Sequence, residues 1–246
     1  MKTILLSMAI ILVVSAGVFF LFFKPQMNLK SPQKLPQTQR ASDFVSVNDC
    51  ESPVEFSHHI TDVSAIVSIL PPVFRNNAGP MQTTLINING SVPLYMPTGG
   101  KIFQGAYYNE QNTAHYLFDI DLGCGITITF DHITQPVEKI KKLFPEIPKS
   151  DTRTDIFVNP LEMTTGELIG YTTGTENARN WNFAVYDNSQ KNYLWQNERF
   201  KDLPKLYTQV CPFKYYDASM AEIYEALFVT SFGVATVEDN LCNNSL

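Results

Sequence analysis

The first 40 residues contain no aspartate or glutamate, and the whole chain of 246 residues holds only 4 histidines and 4 cysteines. These shortages exclude a good deal of chemistry. No two cysteines are spaced CxxC, so neither a zinc knuckle nor a thioredoxin-type pair can be assembled from them. No GxSxG elbow is present for a nucleophilic serine, and LGCGI and PTGG both lack the lysine and following helix of a phosphate-binding loop. PTGG reads instead as a tight β-turn. His58 and His59 are adjacent, so on a strand they face opposite sides and do not clamp one ion. What is present suffices for a folded domain, because 44% of the residues are hydrophobic and 17% charged, enough at this length for one substantial core.

The acid-free start carries Lys2, Lys24, Lys30, Lys34 and Arg40, which leaves 13 basic against 24 acidic side chains in the remainder. A region that acidic repels phosphates, so nucleic acid is excluded as a partner. Ile4 to Phe23 is an uncharged apolar run that spans about 30 Å as a helix, the thickness of a bilayer core. It reads as a membrane anchor through residues 4–23. A cleaved signal peptide is the rival, although no small-x-small site follows Phe23. The Pro, Gln and Ser-rich text that follows is a stalk. Flanking charge favours a cytoplasmic domain, whereas long domains behind one amino-terminal span commonly translocate regardless of charge. Cys50, Cys124, Cys211 and Cys242 form an even, widely spaced set that suits two disulfides in an oxidising compartment, with three connectivities open and four buried thiols as the alternative. The expected location is therefore a single-pass membrane protein with its domain outside the cytoplasm.

From Leu85 onward the hydrophobic period is two. LININ, VPLYM, KIFQGAYY, HYLFDIDL and GITITFDH are strand-like runs separated by Gly, Pro and Asn turns. DVSAIVSILPP is expected to form a short apolar helix or strand ended by Pro71 and Pro72. TQPVEKIKKLFPEI predicts an amphipathic helix capped by Thr134, with Pro136 in its first turn. DASMAEIYEALFVTS predicts another, capped by Asp217 and burying Met220, Ile223, Tyr224, Leu227 and Phe228. His115, Asp119 and Asp121 share strand parity and line one face, ordinarily a solvated one, with a calcium-type oxygen site as the sharper reading. Asp131 and His132 are neighbours and so point apart. The expected fold is mainly β, an antiparallel sandwich or barrel-like domain with a few short helices behind one transmembrane helix. Its segments are an anchor (1–24), a stalk (25–48), a β-domain (49–187) and a helical annex (188–246).

The segment from Val92 to Asp187 resembles the β-domain of the lysostaphin-like zinc endopeptidases that cut cell-wall peptides, the duplicated hybrid motif. VPLYMPTGGKIFQG looks like the opening phrase of that family, ITITFDHI like the strand that carries a catalytic histidine, and MTTGELIGYTTGT like the paired glycine turns. NWNFAV stands where the closing His-x-His-Phe-x-Val strand is expected, so Asn180 and Asn182 replace two histidines. The upstream His and Asp ligands have no counterpart, since Phe74 to Asn89 contains neither residue type. A carboxamide is not a strong zinc ligand and exchanges no proton near neutral pH.

The resemblance therefore implies a member without its zinc site: no cofactor, no catalytic residue, and a vestigial groove floored by His132, Asn180 and Asn182. Such a domain would bind a peptide, glycan or protein partner at the cell envelope. An active metallopeptidase with a rearranged metal site is the alternative, and a structural surface protein is the third. QVCPFKYYDASMAEIYEAL looks like a tail seen in some relatives, which implies a Cys211–Cys242 disulfide and leaves Cys50 and Cys124 as a second pair. Asn89 and Asn243 head acceptor motifs for N-glycosylation.

Overall fold

The computed structural model describes residues 53–72, 74–75, 79–80, 83–229 and 240–242. The anchor, the stalk, Cys50 and Asn243 lie outside the described residues, and among those described no helix is long and apolar enough to cross a membrane.

Among the described residues thirteen strands are present: β1 (Ile66–Leu70), β2 (Phe74–Arg75), β3 (Gly79–Pro80), β4 (Thr84–Ile88), β5 (Val92–Tyr95), β6 (Gly100–Glu110), β7 (Thr113–Asp121), β8 (Ile126–Ile133), β9 (Gln135–Pro136), β10 (Asp155–Met163), β11 (Leu168–Thr172), β12 (Asn180–Asp187) and β13 (Gln209–Val210). The large sheet runs β1-β4-β12-β8-β7-β6-β10, with β13 added alongside β12, and a smaller sheet runs β5-β11-β9. Every pairing between these strands is antiparallel. The mainly β reading thus holds, with short helices at Glu138–Lys141, Pro204–Tyr207 and Ala218–Glu225.

Alternation along the central strands explains the core. Phe118 and Ile120 on β7, Ile128 and Phe130 on β8, and Trp181, Phe183 and Val185 on β12 are all fully buried and belong to one hydrophobic cluster. Phe118 lies opposite Phe130, and Phe130 opposite Phe183. The Phe130 and Trp181 rings stack with centroids 5.7 Å apart, an arrangement that adds about 1 kcal/mol to the burial itself. Trp181 therefore points into the core, as its parity against Asn180 and Asn182 requires. Val92 and Leu94 on β5 and Ile169 on β11 enter the same cluster, so the small sheet closes over it. The chain beyond Asp187 joins too, through Val210, Phe213, Tyr216 and Tyr224. Leu194, Phe200 and Leu206 make a separate small cluster.

For DVSAIVSIL the strand alternative holds, as Ile66–Leu70, preceded by a single turn, Val63–Ala65. Other local expectations are corrected. Gln135 and Pro136 pair with Tyr171 and Gly170 as a strand, which shortens the helix to Glu138–Lys141, without a side-chain cap. The Thr134 hydroxyl instead donates to the Tyr171 carbonyl at 3.4 Å. The last helix is capped as expected, with Asp217 Oδ1 accepting from the Met220 amide at 2.9 Å. It buries Tyr224, whereas Ile223 faces solvent. Tyr224 Oη accepts from the Ile60 amide at 3.2 Å and lies 3.1 Å from His59 Nδ1, which ties the helix to the start of the described chain. Cys211 and Cys242 are disulfide-bonded. Cys124 is disulfide-bonded as well, and its expected partner Cys50 lies outside the described residues.

Candidate functional site

The second face of the large sheet is polar and largely buried. Residues directly opposite one another share a face, which places Asn182 with Asp131, Ala184 with Thr129, Asp119 with Thr129 and Gln104, and Tyr108 with His115. His115 and Asp119 are 1% and 0% exposed, so the solvated strand face expected for HYLFDID is overturned. Burial of a carboxylate requires partners, and Asp119 has three. Gln104 Nε2 donates to Oδ2 at 2.5 Å, Thr129 Oγ1 donates to Oδ1, and Lys205 Nζ reaches Oδ2 at 2.9 Å. Lys205 belongs to the segment after β13's partner strand and also lies over the Tyr186 ring at 5.2 Å. This end of the face is thus closed by the chain itself.

At the other end stand Tyr108, Glu110, His115, Asp131 and His132. The two-residue turn Gln111–Asn112, with both φ values positive, pairs Glu110 with Thr113 and Tyr108 with His115. Glu110 and His115 consequently project to one side as a diagonal pair. Strand parity alone would send His132 to the core side, opposite Asp131. The pairing shows why it does not: Tyr116 is opposite Ile133 and Phe118 opposite Phe130, so Asp131 and His132 together face the single residue Leu117. That is a β-bulge, which redirects a side chain where alternation would misplace it. His132 adopts φ 63°, an uncommon conformation for a residue with a Cβ. Hydrogen bonds on both sides hold it there. The His132 amide donates to Asp131 Oδ1 at 2.7 Å, and the Thr172 hydroxyl donates to the His132 carbonyl at 2.5 Å.

The glycine phrase supports this anchor. Gly174 has φ 68°, and a Cβ there would fall 2.6 Å from the Asn180 amide nitrogen, so glycine is required for the turn between Thr172 and β12. The Gly174 amide in turn donates to Thr172 Oγ1 at 2.9 Å. One segment thereby fixes both the bulge and the start of the closing strand.

Around the bulge the side chains converge. Tyr108 Oη donates to Asp131 Oδ1 at 2.6 Å and lies 3.1 Å from His132 Nδ1. Burial, and after it the neighbouring Asp131 carboxylate, pushes the Tyr108 phenol far above its ordinary value, so it remains a donor. His132 Nδ1 is 3.2 Å from Glu110 Oε2, at the distance of an ion pair but without hydrogen-bond geometry, since Glu110 Oε2 has no hydrogen-bond partner among the described residues. The His115 and His132 rings meet edge to face with centroids 5.2 Å apart. His115 Nδ1 is buried without a hydrogen-bond partner among the described residues. Burial first, and then the charge of His132, lowers the His115 pKa, which favours a neutral imidazole. One donor atom from each of Glu110, His115 and His132 lies within 4.8 Å of the other two.

The residues expected to floor a groove are only partly brought together. Asn182 lies directly opposite Asp131, beside the bulge, and its Oδ1 is buried without a partner. Asn180 is opposite Asn87, and its Oδ1 accepts from Thr175 Oγ1 at 2.9 Å. Neither residue suits the zinc of the resembled family: both are carboxamides, and one has its oxygen engaged. Asn89 is exposed in the turn after β4. Glu110 and the pairing of His115 with His132 are absent from the sequence reading. The missed signal is the Gln111–Asn112 turn, which sets Glu110 and His115 on one face.

No protein-family model and no curated protein matches the chain. Solved structures do match. The catalytic domain of lysostaphin from Staphylococcus simulans is 15% identical, with 60% of this chain and 87% of that chain covered and a TM-score of 0.33. The lysostaphin solution structure is 16% identical over 65% of this chain, which spans only 50% of that chain, with a TM-score of 0.33. A structure of the SpoIIQ–SpoIIIAH pore-forming complex is 8% identical, with 70% of this chain and 98% of that chain covered and a TM-score of 0.39. The chain is thus similar, at a distance, to lysostaphin-like structures, and what it can do has to be read from its own residues.

Proposed function

We propose that this chain is a membrane-anchored, extracytoplasmic domain that holds a peptide, glycan or protein partner at the cell envelope without cleaving it. The observation that carries this reading is the pair Asn180 and Asn182 on the closing strand, where the resembled enzymes need imidazoles. Asn180 is engaged by Thr175, while Asn182 offers an unpartnered carbonyl oxygen beside Asp131. A buried acceptor left open next to a carboxylate is suited to hydrogen-bonding a ligand's amide or hydroxyl groups. The apolar run Ile4 to Phe23 and the Cys211–Cys242 disulfide support placement on the oxidising side of a membrane.

A second reading, an active metallopeptidase with reassigned ligands, is favoured by one observation, the convergence of Glu110, His115 and His132. Hydrolysis separates the two. The full chain, supplied with zinc and incubated with cell-wall peptide fragments, is expected to bind them and release no new amino terminus. Turnover that disappears in His132→Ala would overturn the binding reading. If binding is real, Asn182→Ala weakens it by about tenfold, the loss expected for one buried hydrogen bond.

A further inference from the structure

We propose that Glu110, His115 and His132 form a binding site for a divalent transition ion of the zinc type. This site is distinct from the closing-strand position discussed above: of the residues matched to the resembled family it uses only His132, and there that residue is not the ligand. The three donors come from three places in the chain, the end of β6, the start of β7 and the bulge of β8. The hairpin register and the extra residue at the bulge bring them together, not sequence proximity.

The geometry is close to what an ion requires. Two ligands at about 2.05 Å on a tetrahedral ion stand about 3.3 Å apart, and His132 Nδ1 and Glu110 Oε2 already stand 3.2 Å apart. All three donors lie within 4.8 Å, so closing the remaining gap takes side-chain movement on the order of 1 to 1.5 Å. Glu110 is able to supply that movement, because its side chain is 42% exposed beside a two-residue turn. His115 cannot move far, being 1% exposed. Its unpartnered Nδ1 and the buried, unpartnered Glu110 Oε2 are the second observation. A folded protein rarely leaves two such buried polar atoms in one cluster without a ligand.

The surroundings fit an ion as well. Metal-bound imidazoles are typically oriented by carboxylates and hydroxyls in contact with them. Here the His132 ring has Asp131 Oδ2 3.9 Å from Nε2 and the Tyr108 hydroxyl 3.1 Å from Nδ1. Two nitrogens and one carboxylate select zinc, nickel or copper and disfavour calcium and magnesium, which take oxygen ligands. Three protein ligands leave the fourth position of a tetrahedral ion for water or for a ligand group. No described cysteine is free to compete for the ion.

The test uses the purified full chain in detergent, stripped with a chelator and titrated with zinc and, separately, with cobalt(II). The expected result is one ion per chain, a tetrahedral cobalt absorption band, and a rise in unfolding temperature on adding zinc. Glu110→Gln and His132→Gln should each weaken binding at least tenfold. Glu110→Gln is the safer variant because its side chain is half-exposed. A double variant, His58→Gln with His59→Gln, should bind like the parent. The proposal is overturned if the parent binds no stoichiometric ion. It is equally overturned if Glu110→Gln and His132→Gln bind as the parent does, or if binding is lost in the His58/His59 variant instead.

Discussion

The two ends of the polar sheet face make opposite use of the same strand. At one end Asp119 on β7 is fully enclosed and has every side of its carboxylate engaged, by Gln104, Thr129 and Lys205. Four residues earlier on that strand, His115 is just as deeply buried, yet its Nδ1 has no partner. The difference teaches what burial of a polar group means. Where the chain completes the hydrogen bonding, the group serves the fold. Where it leaves the group incomplete among other donors, the chain has stored binding capacity at a cost in stability.

Substitutions at the closed end should give the largest effect. Asp119→Ala strands Gln104, Thr129 and Lys205 together, and is expected to lower stability by about 3 kcal/mol. The urea midpoint, followed by fluorescence of the buried Trp181, checks this. Lys205→Met leaves the carboxylate with its two other partners, and the lysine side chain is 53% exposed. Its cost is accordingly about 1 kcal/mol in the same measurement. At the open end, Glu110→Gln in metal-free protein should change stability by less than about 0.5 kcal/mol. A loss as large as that of Asp119→Ala would erase the contrast between the two ends.

The smallest effect concerns His59, away from both ends. Burial and then the charge of His58 hold its pKa below 6.5. The unfolded chain therefore takes up a proton that the folded chain refuses. The associated stability is full above about pH 6.5 and falls as the pH drops through that value towards the lowered folded pKa. His59→Asn should reduce the slope of this part of the pH profile of the urea midpoint, leaving the share contributed by His115, whose pKa is lowered in the same direction. An unchanged slope would mean that His59 contributes nothing to it.

Period-two runs were legible because central strands have one apolar face, and Trp181, Phe183 and Phe130 fell where parity put them. The Asp217 cap was legible for a local reason, as its partner lies three residues away. The TQPVEKIKK segment misled because its apolar spacing satisfies a helix, while pairing with β11 captured Gln135 and Pro136 first. The face of HYLFDID reads as solvated because what covers it is distant in sequence: Asp119 is enclosed with Lys205, 86 residues further on, and His115 is packed against Tyr108 and His132. The site itself was illegible for a simpler cause. Alternation predicts that Asp131 and His132 diverge, and no local motif announces a bulge that involves a histidine.

That single supernumerary residue has a consequence for how such a site can be gained or lost. Along β8 the side an amino acid faces is set by counting, and the pair Asp131 and His132 opposite Leu117 shifts the count by one. Deleting Asp131 would restore the count and put the imidazole where the carboxylate now stands, opposite Asn182, while deleting His132 would remove the imidazole; either way the adjacent Asp131–His132 arrangement is lost. The chemistry at this end of the domain is thus addressed by the phase of the strand as much as by the identity of its residues. A change of chain length by one amino acid within the bulge is enough to dismantle it.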